Sequence, residues 1–433
     1  MHRRISRRSF LKQQGLTLVG LSVLGSAACA EDTDDTEKEA TLTLDWWDYH
    51  AVGPFDQVMS DMVSVYTDEN PNVTINRRSI PFADFKRTLL SAGAAGELPD
   101  IILIDNPDHQ AFAALGFLAD IGDLVDAWGE GNQYYDGPWA STEYQGRRFG
   151  VPHGSNCLAL FYNQDALTEA GVEPPTSWDD LRSVAAATAG NGRHGLAVSG
   201  VRSEEGTFQF LPFLWQAGAD LDTLDTPQGR EALSLWVELV QGGHMSEGIL
   251  GWIQEDVKEQ FIAERAAMMV NGSWQVGRLR EEAADMNWNV VTLPEGPAGE
   301  ASILGGENYA VTADAEDPAA AWTVVQRLVE EDVFMEYMKE ERLPSRADHA
   351  EDPYFKDDPV LAVFTEQLQV ARPRAYGPHY PEISNQIQEM FHAAISGQRD
   401  VDTAVSLAAE RISELLEAEP PEVEELLEED DEG

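Results

Sequence analysis

Short apolar runs along the chain give way repeatedly to longer stretches whose apolar positions fall at helical spacing, and the alternation predicts strands interleaved with helices. TLTLD (41–45) reads as a strand, after which Phe55, Val58, Met59, Met62, Val63 and Tyr66 recur on one helical face. NPNVTINRR returns as a strand after an Asn-Pro turn, Phe82–Ala95 reads as a helix, and LPDIILID is a buried strand running into Asp105. Helical patterns follow at 108–115 and 121–128, and SWDDLRSVAAATAG carries a Ser cap and a Gly stop. Further on, HGLAVS, AAMMV, WNVVTLP and GGENYAVT (305–312) read as strands. GTFQFLPFLWQAG, REALSLWVELVQGG and DVKEQFIAER read as helices, and 318–418 is mostly helical. This order predicts an α/β fold with mainly parallel strands and no internal repeat.

One stretch interrupts the pattern. GVPHGSNCLALFYN (150–163) sets His153, Ser155, Asn156 and Cys157 inside a strand-like apolar run. A Ser or Cys beside a His suggests acyl transfer, while the simpler reading is a strand broken by a bend at Gly154 and Ser155. The stretch holds no G-x-S-x-G elbow, and no H-E-x-x-H, P-loop or G-x-G-x-x-G pattern occurs elsewhere.

Length and charge narrow the field. A chain of 433 residues exceeds what one ordinary core supports, so two domains are expected. The balance of 29 basic against 77 acidic residues gives a formal charge of −48, which argues against nucleic acid and against electrostatic docking on anionic lipid. The acids are spread along the whole chain and lysine is scarce. Such a surface suits strong salt, where the screening length shrinks to roughly 3 Å at 1 M. With so many carboxylates, a pair at glycosidase spacing carries no information by itself. Cys29 and Cys157 are the two cysteines, too few for a disulfide framework or a cysteine-based metal site; no cofactor is expected.

The N-terminus reads as an address. A basic start precedes an apolar stretch too short for an ordinary membrane span. Arg7 and Arg8 followed by SFLK resemble a twin-arginine export signal. Cys29, closing SAAC, resembles the lipobox cysteine of exported lipoproteins, with simple signal cleavage as the alternative. The following 30–40 reads as an acidic tether, and 419–433 as an acidic tail.

Aromatic, acidic and amide residues gather at the carboxyl ends of the expected strands, where open α/β sheets bind ligands. Trp46, Trp47, Asp48, Tyr49 and His50 follow the first strand, Asp105 and Asn106 another, Asn271, Gly272, Ser273 and Trp274 follow AAMMV, and Gly306, Glu307 and Asn308 precede a further one. Flat rings beside hydrogen-bonding carboxylates and amides suit a sugar. Arg346, Arg372 and Arg374 keep a charged solute open.

The motifs LTLDWWD, ELPDIILIDN, GVPHGSNCLALFYNQDALTEAGVEPPTSWDDL, FLWQAGADL, EQFIAERAAMMVNGSWQV, GGENYAV, LPSR and ARPRAYGPHYPEIS together resemble the extracellular solute-binding proteins of ABC sugar importers, over 41–418. The resemblance implies two α/β lobes joined by crossing segments, with the ligand clamped between them. One lobe would comprise 41–152 and 309–342, the other 153–308 and 343–418. Implied ligand contacts are Trp47, Asp48, Asp105, Asn156, Trp252, Asn271, Trp274, Gly306, Glu307 and Arg374. His153 stands where the family usually has an aromatic residue such as Trp. The implied protein is a monomeric, non-enzymatic carrier that delivers a sugar to permease subunits and touches the membrane through its lipid anchor alone. A secreted glycoside hydrolase and a carrier for a charged solute such as glycerol phosphate are the alternatives.

Overall fold

The structure, a computed structural model, describes residues 42–50, 54–338 and 343–420. The expected export signal, Cys29, the tether and nearly all of the acidic tail lie outside these residues. No helix among the described residues is long and apolar enough to cross a membrane.

The fourteen strands among the described residues are β1 (Leu42–Asp48), β2 (Val73–Ser79), β3 (Ile101–Asp105), β4 (Glu143–Tyr144), β5 (Arg147–Arg148), β6 (Gly150–Asn156), β7 (Leu158–Asn163), β8 (His194–Ala197), β9 (Ala266–Gly272), β10 (Trp288–Val291), β11 (Ser302–Ile303), β12 (Gly305–Val311), β13 (Leu343–Pro344) and β14 (Ala371–Arg372). Two sheets organise the molecule. The first lobe holds six strands in the order β13-β6-β12-β3-β1-β2, and the second holds four in the order β10-β7-β9-β8.

The expectation of mainly parallel strands needs correction. β1 runs parallel to β2 and β3, and β8 to β9, but β12 runs antiparallel to β3 and β6, and β7 antiparallel to β9 and β10. The reason is the connection between lobes. β6 leaves the first sheet for the second and β12 returns, so the crossing strands enter against the direction of the βα units.

The expected boundaries shift for the same reason. β6 pairs with β12 as far as Asn156 opposite Gly305, which keeps 153–156 and 305–308 in the first sheet. The crossings therefore fall at Asn156–Cys157 and Leu304–Gly305. β13 also pairs with β6, and Phe355 and Leu361 pack in the first lobe's core. Phe364 joins a core cluster of the second lobe with Cys157, Phe161 and Met269, so a third crossing lies inside helix Pro359–Leu368.

Each lobe is held by an aromatic-rich core. In the first, Trp46 meets Tyr309 edge-on at 5.7 Å between ring centres, and β1 buries every second residue from Leu44. In the second, β7 and β9 are buried along their whole length, covered by helices Glu204–Ala217 and Pro227–Gln241, where Trp236 stands edge-on to Phe210 at 5.4 Å.

GVPHGSNCLALFYN is thus two strands with a lobe crossing between them. Gly154 is no bend: it is buried within β6, and a Cβ there would stand 3.1 Å from Tyr337 and 3.4 Å from the Glu307 carboxylate. His153 is buried, its ring 4.1 Å from Tyr337 and 4.6 Å from Tyr309. Cys157 is buried, with Sγ 3.5 Å from the Phe364 carbonyl, and burial raises its thiol pKa far above the ordinary value. A thiol so placed is no nucleophile.

Candidate functional site

Between the lobes lies a cavity of about 380 Å³, within the span of small-molecule sites, roughly 300–1,000 Å³. Its walls have different origins.

The first lobe supplies the segment after β1 and the cleft ends of β3, β6 and β12. Asp48 binds Arg77 through both oxygens, at 2.6 and 2.9 Å, and accepts the His50 backbone N–H at 2.9 Å. This turn carries Tyr49 and His50 to the cavity. Tyr49 stands edge-on to Phe82 at 5.2 Å, and His50 stacks on Phe55 at 5.3 Å while bonded to the Tyr337 hydroxyl at 3.1 Å. Asp105 and Glu307 face each other across the β3–β12 ladder, and both line the cavity beside Asn156.

Glycines let the crossings meet. Gly306 has φ +125°, and a Cβ on it would lie 2.0 Å from the Gly154 carbonyl oxygen; a Cβ on Gly305 would lie 2.1 Å from the Asn156 side-chain oxygen. Only the absence of side chains brings β6 and β12 so close at the hinge.

The second lobe builds its wall from helix starts. Ser203 caps helix Glu204–Ala217 by accepting the Glu205 N–H at 3.3 Å, and the dipole favours acids in this first turn. Glu205 accepts the backbone N–H of Gln254, first residue of helix Gln254–Ile262, at 2.6 Å. Burial raises the Glu205 pKa against that bond. Glu255 receives Lys258 at 2.7 Å and Arg278 at 2.6 Å; these cations bring its pKa below the usual value although burial pushes it up. Trp274 lies across the end of β9 and tilts against Phe208 at 6.2 Å. A Cβ on Gly272 would fall 1.9 Å from its ring, so the glycine makes room for the indole.

Arg374 lies at the junction of the walls. Nη1 donates to Glu204 at 2.5 Å and stands 3.4 Å from Asp105, Nη2 donates to the Asn106 side-chain oxygen at 3.2 Å, and the guanidinium covers Phe208 at 4.7 Å. Burial disfavours its charge, yet Asp105 and Glu204 raise its pKa above the ordinary value. Asp105 is pushed up to about 7: burial dominates, Arg374 opposes it, and Asp108, Glu204 and Glu307 reinforce it.

Of the residues expected at the ligand, Asp105, Asn156, Trp274, Glu307 and Arg374 line the cavity. The others are placed otherwise. Trp47 lies within β1, which extends past the expected end at Asp45, and its ring holds Arg78 at 4.6 Å. Asp48 is fully buried on Arg77. Trp252 packs between two core clusters of the second lobe, and its neighbour Ile253 reaches the cavity instead. Asn271 is buried, donating to the Gln254 carbonyl at 2.9 Å. Gly306 contributes backbone geometry. Phe55, Phe82, Phe208 and the helix-start residues Glu204, Glu205, Gln254, Glu255 and Gln275 also line the cavity, though nothing in the strand pattern marks them; the run Ser203-Glu204-Glu205 is the one legible sign, as a helix cap followed by acids.

Among the described residues no group of three His, Cys, Asp or Glu is placed to hold a metal ion. The arrangement suits reversible capture: rings from both lobes, hydrogen-bonding acids and amides, and one buried cation already occupied by protein groups.

Comparison with known proteins agrees with this architecture. A binding protein of Brucella abortus is 25% identical over 416 residues, spanning 92% of this chain and 97% of its own. An ABC transporter solute-binding protein of Thermotoga lettingae, solved with α-D-tagatose, superposes with a TM-score of 0.80 at 26% identity, over 87% of this chain and 100% of its own. The GacH receptor of Streptomyces glaucescens, solved unliganded and with acarbose, gives 0.79 at 26% identity, over 87% and 99%. Residues 61–363 match the family described as bacterial extracellular solute-binding protein, and the chain belongs to that family.

Proposed function

We propose that the protein is the sugar-binding component of an ABC importer, taking a di- or oligosaccharide from outside the membrane and delivering it to the permease. One observation carries the reading: rings from both lobes, Tyr49 and Phe82 from one and Phe208 and Trp274 from the other, line one inter-lobe cavity beside acids and amides. Pyranose rings present C–H faces to stack on and hydroxyls to bond, and ligand contacts from two lobes favour the closed state over the open one. The relatives solved with α-D-tagatose and acarbose support a sugar as the ligand.

The same proposal covers export and anchoring. Arg7 and Arg8 direct twin-arginine export, Cys29 carries the lipid, and the acidic chain works as a monomer in strong salt. Ligand contacts are assigned to Asp105, Asn156, Trp274, Glu307 and the aromatic residues of the first wall.

A second reading has one observation in its favour. Asp105, pushed up to about 7 and opposite Glu307, has the environment of a glycosidase acid. One experiment separates the two. The protein is titrated in molar salt with mono- and oligosaccharides and with anionic solutes, following melting temperature and product formation. Capture predicts a raised melting temperature with an unaltered sugar. A sugar that is bound and cleaved establishes the hydrolase, and no stabilisation by any sugar removes the carbohydrate assignment.

A further inference from the structure

The residues that hold Arg374 belong to different lobes. Its own segment is fixed to the second lobe: β14 pairs with β11, and the Tyr376 hydroxyl donates to Asp220 at 2.6 Å. Glu204, its tightest partner, opens a helix of the same lobe and is itself held by the hydroxyls of Tyr380 and Ser384, at 2.5 and 2.6 Å. Asp105 ends β3 in the first lobe and Asn106 follows it, its backbone N–H bonding the Gly306 carbonyl at 3.0 Å. A rotation between lobes leaves Arg374 on Glu204 and changes its distances to Asp105 and Asn106.

We propose that Arg374 is an inter-lobe strut: fixed to the second lobe by Glu204, it stabilises cleft closure through Asp105 and Asn106 and does not read the charge of the ligand. This deepens the sugar-carrier reading and rests on it for the ligand. Two observations favour a strut over a ligand cation. The Arg374 side chain is 1% exposed, and its two terminal nitrogens are engaged by protein oxygens from both lobes. Bonds made on closure without ligand raise the fraction of binding-competent protein, and apparent affinity rises with that fraction for every ligand alike.

Asn106 gives the cleanest test because it bonds Arg374 but does not line the main cavity. Arg374→Gln, Asn106→Leu and the double variant are compared with the wild type in molar salt. Solution scattering and an inter-lobe fluorescence distance report closure without ligand; titration with a bound neutral oligosaccharide and its uronic-acid counterpart reports affinity and selectivity. The expected result is a more open ligand-free protein for each variant and roughly tenfold weaker binding. The neutral-to-anionic ratio stays unchanged, and the double variant loses little more than either single one. The strut is overturned if Arg374→Gln shifts the selectivity ratio at unchanged inter-lobe distance, if Asn106→Leu leaves both distance and affinity as in the wild type, or if the two losses add. Should Arg374→Gln fail to fold, Asn106→Leu decides alone. Should no sugar bind the wild type, the carrier reading falls, while the ligand-free distances still decide the strut.

Discussion

The two walls of the cleft reach the same cavity by different means. In the first lobe, Asp105, Asn156 and Glu307 stand at strand ends, and their places are set by the ladder: Glu307 opposite Asp105, Asn156 opposite Gly305. In the second, Glu204, Glu205, Gln254 and Glu255 stand in the first turns of helices, placed by a cap at Ser203 and by the Glu205 carboxylate, which accepts the N–H of Gln254 at the start of the facing helix. A strand end is fixed by many shared backbone bonds. A helix start depends on a few side-chain acceptors. The contrast assigns shape to the first wall and adjustable chemistry to the second.

The sharpest way to break the contrast is at the crossing. Gly306→Ala puts a Cβ into a backbone with φ +125° and within 2.0 Å of the Gly154 carbonyl oxygen, with only backbone atoms nearest it. Neither strand yields without losing ladder bonds, so we expect destabilisation on the order of 4 kcal/mol, measured by denaturant unfolding. Stability within about 1 kcal/mol of the wild type contradicts a wall fixed by its backbone.

The second wall responds differently to the same kind of change. Gly272→Ala also collides, but with the Trp274 ring at 1.9 Å, a side chain able to turn away. Its φ is −102°, so no left-handed strain accompanies the change. The variant is expected to fold with a smaller loss of stability than Gly306→Ala while binding sugar roughly tenfold more weakly or worse, because the displaced indole no longer faces Phe208. Titration alongside unfolding checks this; equal affinity for the two proteins removes Trp274 from the ligand surface.

The same difference decides what was legible in the sequence. Strand ends carry a visible sign, an apolar run bounded by a polar residue, and it pointed to Asp105 after the run in ELPDIILIDN and to Glu307 before the run in GGENYAV. The sign failed where a strand ran further than its apolar pattern. Trp47 and Asp48 stay in β1, paired with Arg78 and Ser79, because Asp48 meets a buried guanidinium from β2 and continues the sheet instead of ending it. Gln254, Glu255 and Arg278 carried no sign at all. Their position depends on which helix start meets which across the second lobe, a long-range fact that local periodicity does not encode. Trp252 and Ile253 show the limit most simply: neighbouring apolar residues, of which the larger went to the core.

The last expected effect is a titration in the first wall. Asp105 has its pKa raised from 3.8 to about 7, chiefly by burial. Between those values the folded protein holds a proton that the unfolded chain has released, so stability falls as pH rises through about 4 to 7, and the penalty is complete above that. His109 and His349 work in the opposite sense. Burial lowers their pKa to about 3 and about 4, so they stay neutral while the unfolded chain takes up protons, and their contribution is lost as pH falls below 6.5. The wild-type curve therefore mixes both. The difference between Asp105→Asn and the wild type isolates the carboxyl: the variant's melting temperature, measured relative to the wild type in molar salt, should climb from pH 4 to pH 7 and then level off. Arg374 is also held by Glu204 at 2.5 Å, a contact that does not involve Asp105. A flat difference across that window means that Asp105 is ionised throughout, and that solvent in the cleft reaches the first wall as freely as it reaches the helix starts opposite.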